Sequence, residues 1–370
     1  MNRLELGLFL PIASNGFVFS RNAPAYPPSY QDMLAITLEA ERIGFDYVFS
    51  MAKWRGFGGD IGMWDSSFES FSLMLALAAR TQRLDLIATI NPLLVHPAVM
   101  AKMAATFDDV SGGRLGLNLI TGGLLGEYAQ MGVLPPHYDA DRYVYAGEWV
   151  QLLKKLWSQD RVTHEGRFFR LEDCVSEPKP RQDPHPRLVC AATSDEGLRF
   201  TAREANCCFI SGRDIAGVGE KTRRARAIAA EEGPELKIAL LVMLVIGDDD
   251  AQARASAEHL IAGADLEALT NAGLAQAGDS RARTVAHGAQ RLADQRQIFF
   301  GLPIIGGSET VAAQLASLAC DHEVDSLAII FPDYHDGLRR FEASVLPIAR
   351  RRLDIGFRAP SHATAGGIAA

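Results

Sequence analysis

The chain has 370 residues, 48% of them hydrophobic and 22% charged, with a formal net charge of −8. This length permits one large domain or two, and the apolar fraction is enough for a large core. The acidic balance, without any run of Lys and Arg interleaved with aromatic residues, excludes a typical nucleic-acid-binding surface, so we expect no nucleic-acid partner.

The chain enters a strand pattern almost at once, with "LELGLFLPI" over residues 4–12. No charged leader precedes it, and no apolar run approaches the ~18 residues of a membrane helix. We therefore expect a soluble, cytoplasmic protein without a membrane contact. A helix over 29–44 follows, closed by Gly44, and then the strand "FDYVFSM" over 45–51.

The alternation of strand and helix continues along the first half of the chain. It predicts a helix over 68–80, the strand "LDLIATI" over 84–90, a helix over 97–110 and the strand "RLGLNLI" over 114–120. Pro97 suits a first helical turn, and the "SGG" that follows this helix suits its end. A further helix over 141–158 carries apolar residues on one face.

The second half repeats the same alternation. We predict the strands "RLVCAA", "CCFIS", "IALLVMLVIG" and "SLAIIFP", with helices near 195–204, 215–232, 249–263, 308–320 and 336–352. Eight strands, each paired with a helix, indicate an α/β fold of the (β/α)8 TIM-barrel class.

One domain over 1–355 is the better interpretation of this pattern, followed by a tail over 356–370 that we expect to be disordered. Three segments do not fit the alternation: 121–140, 159–186 and 264–305. They are rich in Gly, Pro or polar residues, and we interpret them as insertions in loops at the C-terminal face of the barrel, where such loops surround the active site.

The residues at the strand ends form a mostly neutral set of hydroxyls and amides with one Lys. The set comprises Pro11 with Asn15, Ser50 to Lys53, Thr89 to Asn91, Asn118 with Thr121, Ala192 to Ser194, Ser211, and Phe331 to Asp333. The chain has no G-x-S-x-G motif, and no two carboxylates fall at strand ends. In a barrel these strand ends surround one opening, and an opening lined by neutral groups suits an organic cofactor that supplies the chemistry itself.

Metal and dinucleotide sites have no signature in this chain. The nine histidines are scattered, and the five cysteines form no C-x-x-C pair, so we expect reduced thiols and no metal. The glycine-rich "RGFGGD" over 55–60 lacks the G-x-G-x-x-G frame and opens no helix. We therefore expect no direct nicotinamide binding.

Two strand-end residues allow both a structural and a functional interpretation. Asn118 is an amide within an apolar strand, which fits either a hydrogen-bonded core residue or a group that faces a ligand. Ser194 follows a strand and begins a helix, so it is either an ordinary N-cap or part of an anion site such as a cofactor phosphate would use.

A longer stretch resembles a known family. The phrases "RGFGG", "MAAT" and "SGGRLGLNLITG" resemble the bacterial luciferase-like flavin monooxygenases, and most closely the branch that oxygenates uracil in bacterial pyrimidine catabolism. The similarity covers about 5–210 and returns near 303–350. It implies a (β/α)8 barrel, reduced FMN supplied by a separate NADH-dependent reductase, and O2 as co-substrate.

The resemblance also implies a set of site residues. The FMN contacts would be Ala52, Lys53, Asn118, Glu127, Arg142, Tyr143 and Ser194. Oxygen would react at flavin N5 in a small pocket between Thr89 and Asn118, whose hydroxyl and amide would act as hydrogen-bond donors. Each assignment has an alternative: Lys53 as a surface ion pair, Glu127 as a helix-start carboxylate, and Arg142 with Tyr143 as a solvated helix entry.

The family resemblance leaves the substrate less defined than the oxygen chemistry. This chain has Gly123 where the uracil branch has Trp, and "INPLLVHP" over 90–97 and much of 211–300 also differ. We favour a pyrimidine ring such as uracil, with a dialkyl sulfone or a halogenated or heteroaromatic compound as the alternative substrate. A non-catalytic flavin-binding protein is the second alternative, and we expect a homodimer or homotetramer.

Overall fold

The computed structural model describes residues 3–233, 235–277 and 297–356. Within these ranges the strands are β1 (Glu5–Phe9), β2 (Tyr47–Phe49), β3 (Asp85–Ile90), β4 (Leu115–Leu119), β5 (Val162–Glu165), β6 (Arg170–Cys174), β7 (Arg187–Ala191), β8 (Cys207–Ile210), β9 (Lys237–Ile246), β10 (Leu302–Gly306) and β11 (Ser326–Ile330). The helices are α1 (Tyr30–Ile43), α2 (Ser70–Ala78), α3 (Pro97–Ser111), α4 (Leu125–Ala129), α5 (Tyr138–Ser158), α6 (Asp195–Glu204), α7 (Ile215–Glu232), α8 (Asp250–Ala262), α9 (Leu266–Ala277), α10 (Ser308–Cys320), α11 (Tyr334–Arg340) and α12 (Leu346–Arg352).

Eight parallel strands close into a barrel, which confirms the predicted fold class. The order around the barrel is β1, β2, β3, β4, β7, β8, β9 and β11, and β11 pairs with β1 to close it. These are the eight strands predicted from the sequence. Because both faces of each strand are covered, by the barrel interior and by helices, the strands are almost continuously apolar.

The three segments outside the alternation contain more regular structure than the sequence predicted. The segment 121–140 includes α4, and 159–186 includes the antiparallel hairpin of β5 and β6. The segment 264–305 includes α9 and most of β10, which pairs with the far half of β9 beyond the barrel. Residues 278–296 of that segment, and 357–370 of the predicted tail, lie outside the described residues.

Local signals set the helix ends where the sequence predicted them. Gly44 ends α1 with a φ of 103°, a left-handed conformation that favours glycine, and its N–H donates to Ala40 O at 3.1 Å. Pro97 begins α3, and Gly112 ends it with a φ of 69°. The predicted helix over 336–352 is instead interrupted, because a π-helical turn at Phe341–Val345 separates α11 from α12.

The barrel interior below the site is filled by three aromatic rings. Phe9, Phe49 and Phe209 lie with ring centroids 4.8–5.8 Å apart. Side chains alternate along a strand, so positions that share register with these phenylalanines also point inward. Phe49 pairs with Ile87, and two residues further along, Thr89 pairs with Asn118. Thr89 and Asn118 therefore project into the top of the barrel interior, toward its C-terminal mouth.

Among the described helices, none combines the length and the hydropathy needed to cross a membrane.

Candidate active site

The predicted pair Thr89 and Asn118 forms one buried hydrogen-bonded unit. The two residues are register partners on β3 and β4, and Asn118 Nδ2 donates to Thr89 Oγ1 at 3.0 Å. Thr89 is 2% exposed and Asn118 is 4% exposed. Asn118 lies inside β4, within its last two residues, as the predicted strand over 114–120 expects.

The direction of each hydrogen bond in this unit is fixed by a backbone carbonyl. Ser50 O can only accept, so the Thr89 hydroxyl must donate to it, at 2.5 Å. Thr89 Oγ1 is then an acceptor toward Asn118, which must present its Nδ2. Asn118 Oδ1 is left buried and without a partner. The unit therefore presents an amide oxygen, and the second N–H of the same amide, to whatever occupies the mouth.

This geometry changes the role expected for Thr89. The sequence suggested the Thr89 hydroxyl as a donor to reacting oxygen, but its single proton is used by Ser50 O. Ser70 Oγ further holds Thr89 by accepting its backbone N–H at 2.8 Å, and Ser70 Oγ lies 2.6 Å from Ser50 Oγ. In this structure Thr89 orients Asn118, and only the Asn118 amide remains free to contact a ligand.

Lys53 and Glu127 pair with each other in the interior. Their side chains form an ion pair in which Lys53 is 2% and Glu127 6% exposed. Glu127 Oε2 also accepts the backbone N–H of Trp54 at 2.7 Å, and the Lys53 ammonium lies 4.0 Å from the centre of the Phe57 ring. Burial lowers the pKa of Lys53, although the adjacent carboxylate opposes this shift. The pair is thus not a surface ion pair. Glu127 does lie in the first turn of α4, and its bond to Lys53 ties this helix to the loop after β2.

The predicted phosphate-binding residues lie together at the start of α6. Ser194 caps this helix and accepts the N–H of Gly197 at 3.2 Å, which confirms the predicted N-cap. The Tyr143 hydroxyl lies 3.4 Å from Ser194 Oγ, and Arg142 lies beside Tyr143, its guanidinium 5.4 Å from the ring centre. Arg142 is 5% exposed, so it is not a solvated helix entry.

The structure adds polar groups that the sequence left without a role. Asn91, directly after β3, is 1% exposed, and its side-chain amide faces the hydroxyl of Tyr128 in α4. Tyr138, at the start of α5, is 3% exposed with an unpartnered hydroxyl. Tyr128 of α4 is a neighbour of both. Asn91 was visible as a strand-end residue, whereas nothing in the sequence distinguishes Tyr138 from any helix-start tyrosine.

A cavity of about 560 Å³ opens at the C-terminal mouth between the loop after β2, α4 and α9. It is lined in part by Lys53, Phe57, Glu127 and Asn271. Asn271 of α9 donates to Phe57 O at 2.8 Å, so α9 forms a wall of this cavity. Its volume lies within the usual range for small-molecule sites. Ala52, the remaining predicted contact, is partly exposed next to Lys53.

Acidic, His and Cys side chains do not gather into a metal-binding group of three or more anywhere in the described ranges.

The chain belongs to the luciferase-like monooxygenases: the model of that family matches residues 5–320. Members of this family are monooxygenases, and membership implies that the enzyme uses a flavin.

Similar proteins of known name agree with this assignment. The chain is 37% identical over 377 residues to pyrimidine monooxygenase RutA of Variovorax paradoxus, covering 99% of this chain and 100% of that protein. It is 39% identical over 361 residues to pyrimidine monooxygenase RutA of Agrobacterium fabrum, covering 94% of this chain and 97% of that protein. Among solved structures, riboflavin lyase RcaE superposes with a TM-score of 0.85 at 23% identity, covering 97% of this chain and 94% of that one.

Proposed function

We propose that the protein is the oxygenase of a two-component system, which uses reduced FMN and O2 to oxygenate and open a pyrimidine ring such as uracil. The near-full-length similarity to pyrimidine monooxygenases supports the substrate class. The observation that carries the proposal is the Asn118 amide, buried at the barrel mouth with its oxygen unpartnered and its orientation fixed through Thr89. Most buried polar side-chain atoms in proteins are hydrogen-bonded, so an unpartnered amide oxygen at the barrel mouth supports contact with a ligand there.

Two groups of residues at the mouth suit the two ends of FMN. The N-terminus of α6 with Ser194, Tyr143 and Arg142 supplies backbone N–H groups, a hydroxyl and a cation, which together suit a phosphate. The Asn118 amide supplies one acceptor and one donor, which suits the heteroatom edge of a flavin ring. When bound, reduced FMN supplies the electrons that activate O2.

The protein's own contribution is to position and to exclude water. Asn118 can hold a reacting oxygen by a hydrogen bond from an uncharged amide, which is too weak an acid to release a proton into the site. Phe9, Phe49 and Phe209 close the barrel below the amide, so water has no access from that side. The Lys53–Glu127 pair holds α4 against the loop after β2 and thereby keeps the cavity wall in place.

Electrons would come from a separate NADH-dependent flavin reductase. The chain lacks a dinucleotide fingerprint, and its glycine-rich stretch over 55–60 lies in the loop that lines the cavity, not at the start of a helix. The homodimer or homotetramer and the cytoplasmic location remain predictions of the sequence.

The test is a single-turnover reaction with photoreduced FMN, uracil and 18O-labelled O2, followed by mass spectrometry. The proposal expects a ring-opened product that carries one labelled oxygen atom, with no metal added and no NADH present. Quantitative conversion of the reduced flavin to hydrogen peroxide, with uracil recovered intact, would contradict it. Full turnover with NADH and FMN in the absence of a reductase would contradict the two-component assignment alone.

A further inference from the structure

Arg55 is a cation at the barrel mouth that no carboxylate of the described residues neutralises. It lies in the loop after β2, lines the cavity of about 560 Å³ and is exposed. Within the described ranges its guanidinium makes neither a hydrogen bond nor an ion pair. The first carboxylate that follows it in the chain, Asp60, pairs instead with Arg21 at 2.7 Å. The charge of Arg55 is therefore available to a ligand in the cavity.

The other charged residues that line this cavity do not offset Arg55. Lys53 and Glu127 pair with each other, and Asp65 Oδ1 accepts the Gly58 N–H at 3.0 Å without forming an ion pair with Arg55. Burial lowers the pKa of the Lys53 ammonium, and the nearby charge of Arg55 lowers it further. Two cations thus lie close together beside the single carboxylate of Glu127. This part of the cavity carries a net positive charge, which attracts an anion.

The wall of the cavity on α9 is neutral. Phe57 O can only accept, so Asn271 must present its Nδ2 to that oxygen, at 2.8 Å, which leaves Asn271 Oδ1 as an acceptor. Leu274, 63% exposed, and Ala275 add aliphatic surface to the same wall. A ligand that suits the cavity therefore has an anionic end, a short apolar part and an N–H donor.

Opening a cyclic amide at its carbonyl carbon produces such a molecule. The bond between this carbon and the ring nitrogen is lost, which leaves a carboxyl group on the carbon and an N–H group on the nitrogen. A carboxyl group has a pKa of about 4 and is ionised at neutral pH. Uracil is uncharged at that pH, so the ring-opened product, and not the substrate, carries the charge that Arg55 matches.

We propose that Arg55 binds the carboxylate of the ring-opened product and that this cavity is the product's binding site. The assignment rests on the proposed function, because only the opening of the ring creates the carboxylate. A phosphate is also an anion, so the experiment must separate a carboxylate ligand from FMN.

Two probes and three variants isolate the proposed contact. The anionic probe is N-carbamoyl-β-alanine, a stable open-chain acid with a terminal ureido group, and the neutral probe is its primary amide. Arg55→Gln removes the charge, and Arg55→Lys keeps it. The matched control is Arg80→Gln, which removes an exposed arginine without an ion pair in the described ranges, just after α2 at the other end of the barrel.

Three measurements are made on each protein. With oxidised FMN bound, calorimetry gives the affinity for both probes at low and at high salt. Quenching of FMN fluorescence gives the affinity for the cofactor, and a thermal melt reports folding.

The proposal predicts that wild type binds the acid more tightly than the amide. Arg55→Gln should weaken binding of the acid about fivefold, the effect of one solvent-accessible ion pair, while Arg55→Lys and Arg80→Gln stay within about twofold of wild type. High salt should weaken acid binding to wild type more than to Arg55→Gln, because it screens the charge that the variant lacks. Amide binding, FMN binding and the melting temperature should not change in any variant.

Equal affinity of wild type for the acid and the amide would overturn the proposal, as would unchanged acid binding in Arg55→Gln. Weaker FMN binding in Arg55→Gln with acid binding unchanged would assign Arg55 to the cofactor. The wild-type protein separates this test from the proposed function. If it binds the acid through Arg55 but forms no ring-opened product from uracil, the reaction assignment fails and the carboxylate site stands. If it opens uracil but does not bind the acid, the carboxylate site fails and the reaction assignment stands.

Discussion

The two ends of strand β4 treat buried polar groups in opposite ways. At its N-terminal end Arg114, 6% exposed, uses all five guanidinium N–H groups, which donate to Ser111 O, Thr81 Oγ1, Thr81 O, Leu84 O and Ala78 O at 2.6–3.0 Å. Four residues later, at the mouth, Asn118 leaves its amide oxygen unpartnered. Both side chains are equally withdrawn from water, so exposure does not explain the difference.

Two further groups at the N-terminal end are paired in the same way as Arg114. At the N-terminal end Glu5 pairs with Arg187 at 2.8 Å and Lys237 at 2.7 Å, and Tyr47 OH lies 2.8 Å from Ser326 Oγ. At the mouth, the Tyr138 hydroxyl is, like the Asn118 amide oxygen, buried and unpartnered. Buried polar side-chain atoms are usually hydrogen-bonded, so an unpartnered amide oxygen at the barrel mouth suits contact with a ligand.

The largest effect is expected from Arg114. Arg114→Met leaves four carbonyls and one hydroxyl buried without their donors, which should lower the free energy of unfolding by at least about 3 kcal/mol. Urea denaturation measures this loss, and FMN binding at a urea concentration where the variant is folded should match wild type. A loss below about 1 kcal/mol would show that the N-terminal end is not held by these hydrogen bonds, and the comparison would fail at that end.

Acid should weaken the N-terminal end through Glu5. Burial alone would raise the pKa of the Glu5 carboxyl, but Arg187 and Lys237 together outweigh it and lower the pKa from 4.5 to about 2. A carboxylate with a depressed pKa stabilises the fold above its unfolded pKa, so its contribution is complete above pH 4.5 and is lost as pH falls toward 2.

We therefore expect the wild-type free energy of unfolding to decline over this pH range by up to about 3 kcal/mol more than that of Glu5→Gln. Denaturation series at several pH values measure the two slopes. Parallel slopes for the two proteins would remove Glu5 from the acid response.

Most of the barrel could be predicted because each strand and helix carries its own local signal. All eight barrel strands were predicted, and Gly44, Pro97 and Ser194 mark helix ends by chain chemistry alone. The hairpin of β5 and β6 was missed because its strands alternate polar and apolar residues over only four or five positions. The break at Phe341–Val345 has no sequence signal, since the π-turn depends on how α11 and α12 pack.

The sequence predicted which residues belong to the site, but not which of their atoms form hydrogen bonds or ion pairs with each other. Residue type and position at a strand end brought Thr89 and Asn118 to one place, and the structure confirms their contact. The direction of their hydrogen bond depends on Ser50 O, a backbone atom from a third strand, which no side-chain pattern reveals. The pairing of Lys53 with Glu127 likewise joins residues 74 positions apart, and only the fold brings them together.

A smaller effect at the mouth should come from the orientation of Asn118. Thr89→Val removes the bond to Ser50 O and the acceptor for Asn118 Nδ2, so the amide is free to turn, whereas Thr89→Ser keeps both contacts. We expect product formed per reduced FMN to fall about tenfold in Thr89→Val and to stay near wild type in Thr89→Ser. Equal yields in the two variants would show that the amide needs no such support.

The most direct test of the account replaces Asn118 by a side chain of the same size without polar atoms. Asn118→Leu removes the unpartnered oxygen, so the melting temperature of the ligand-free protein should not fall, while product formed per reduced FMN should drop on the order of 10²-fold. Thermal melts and product yield, measured on the same preparation, give both values. A variant that melts well below wild type but retains its product yield would contradict the account. Asn118 would then stabilise the fold, and its amide would have no role in the reaction.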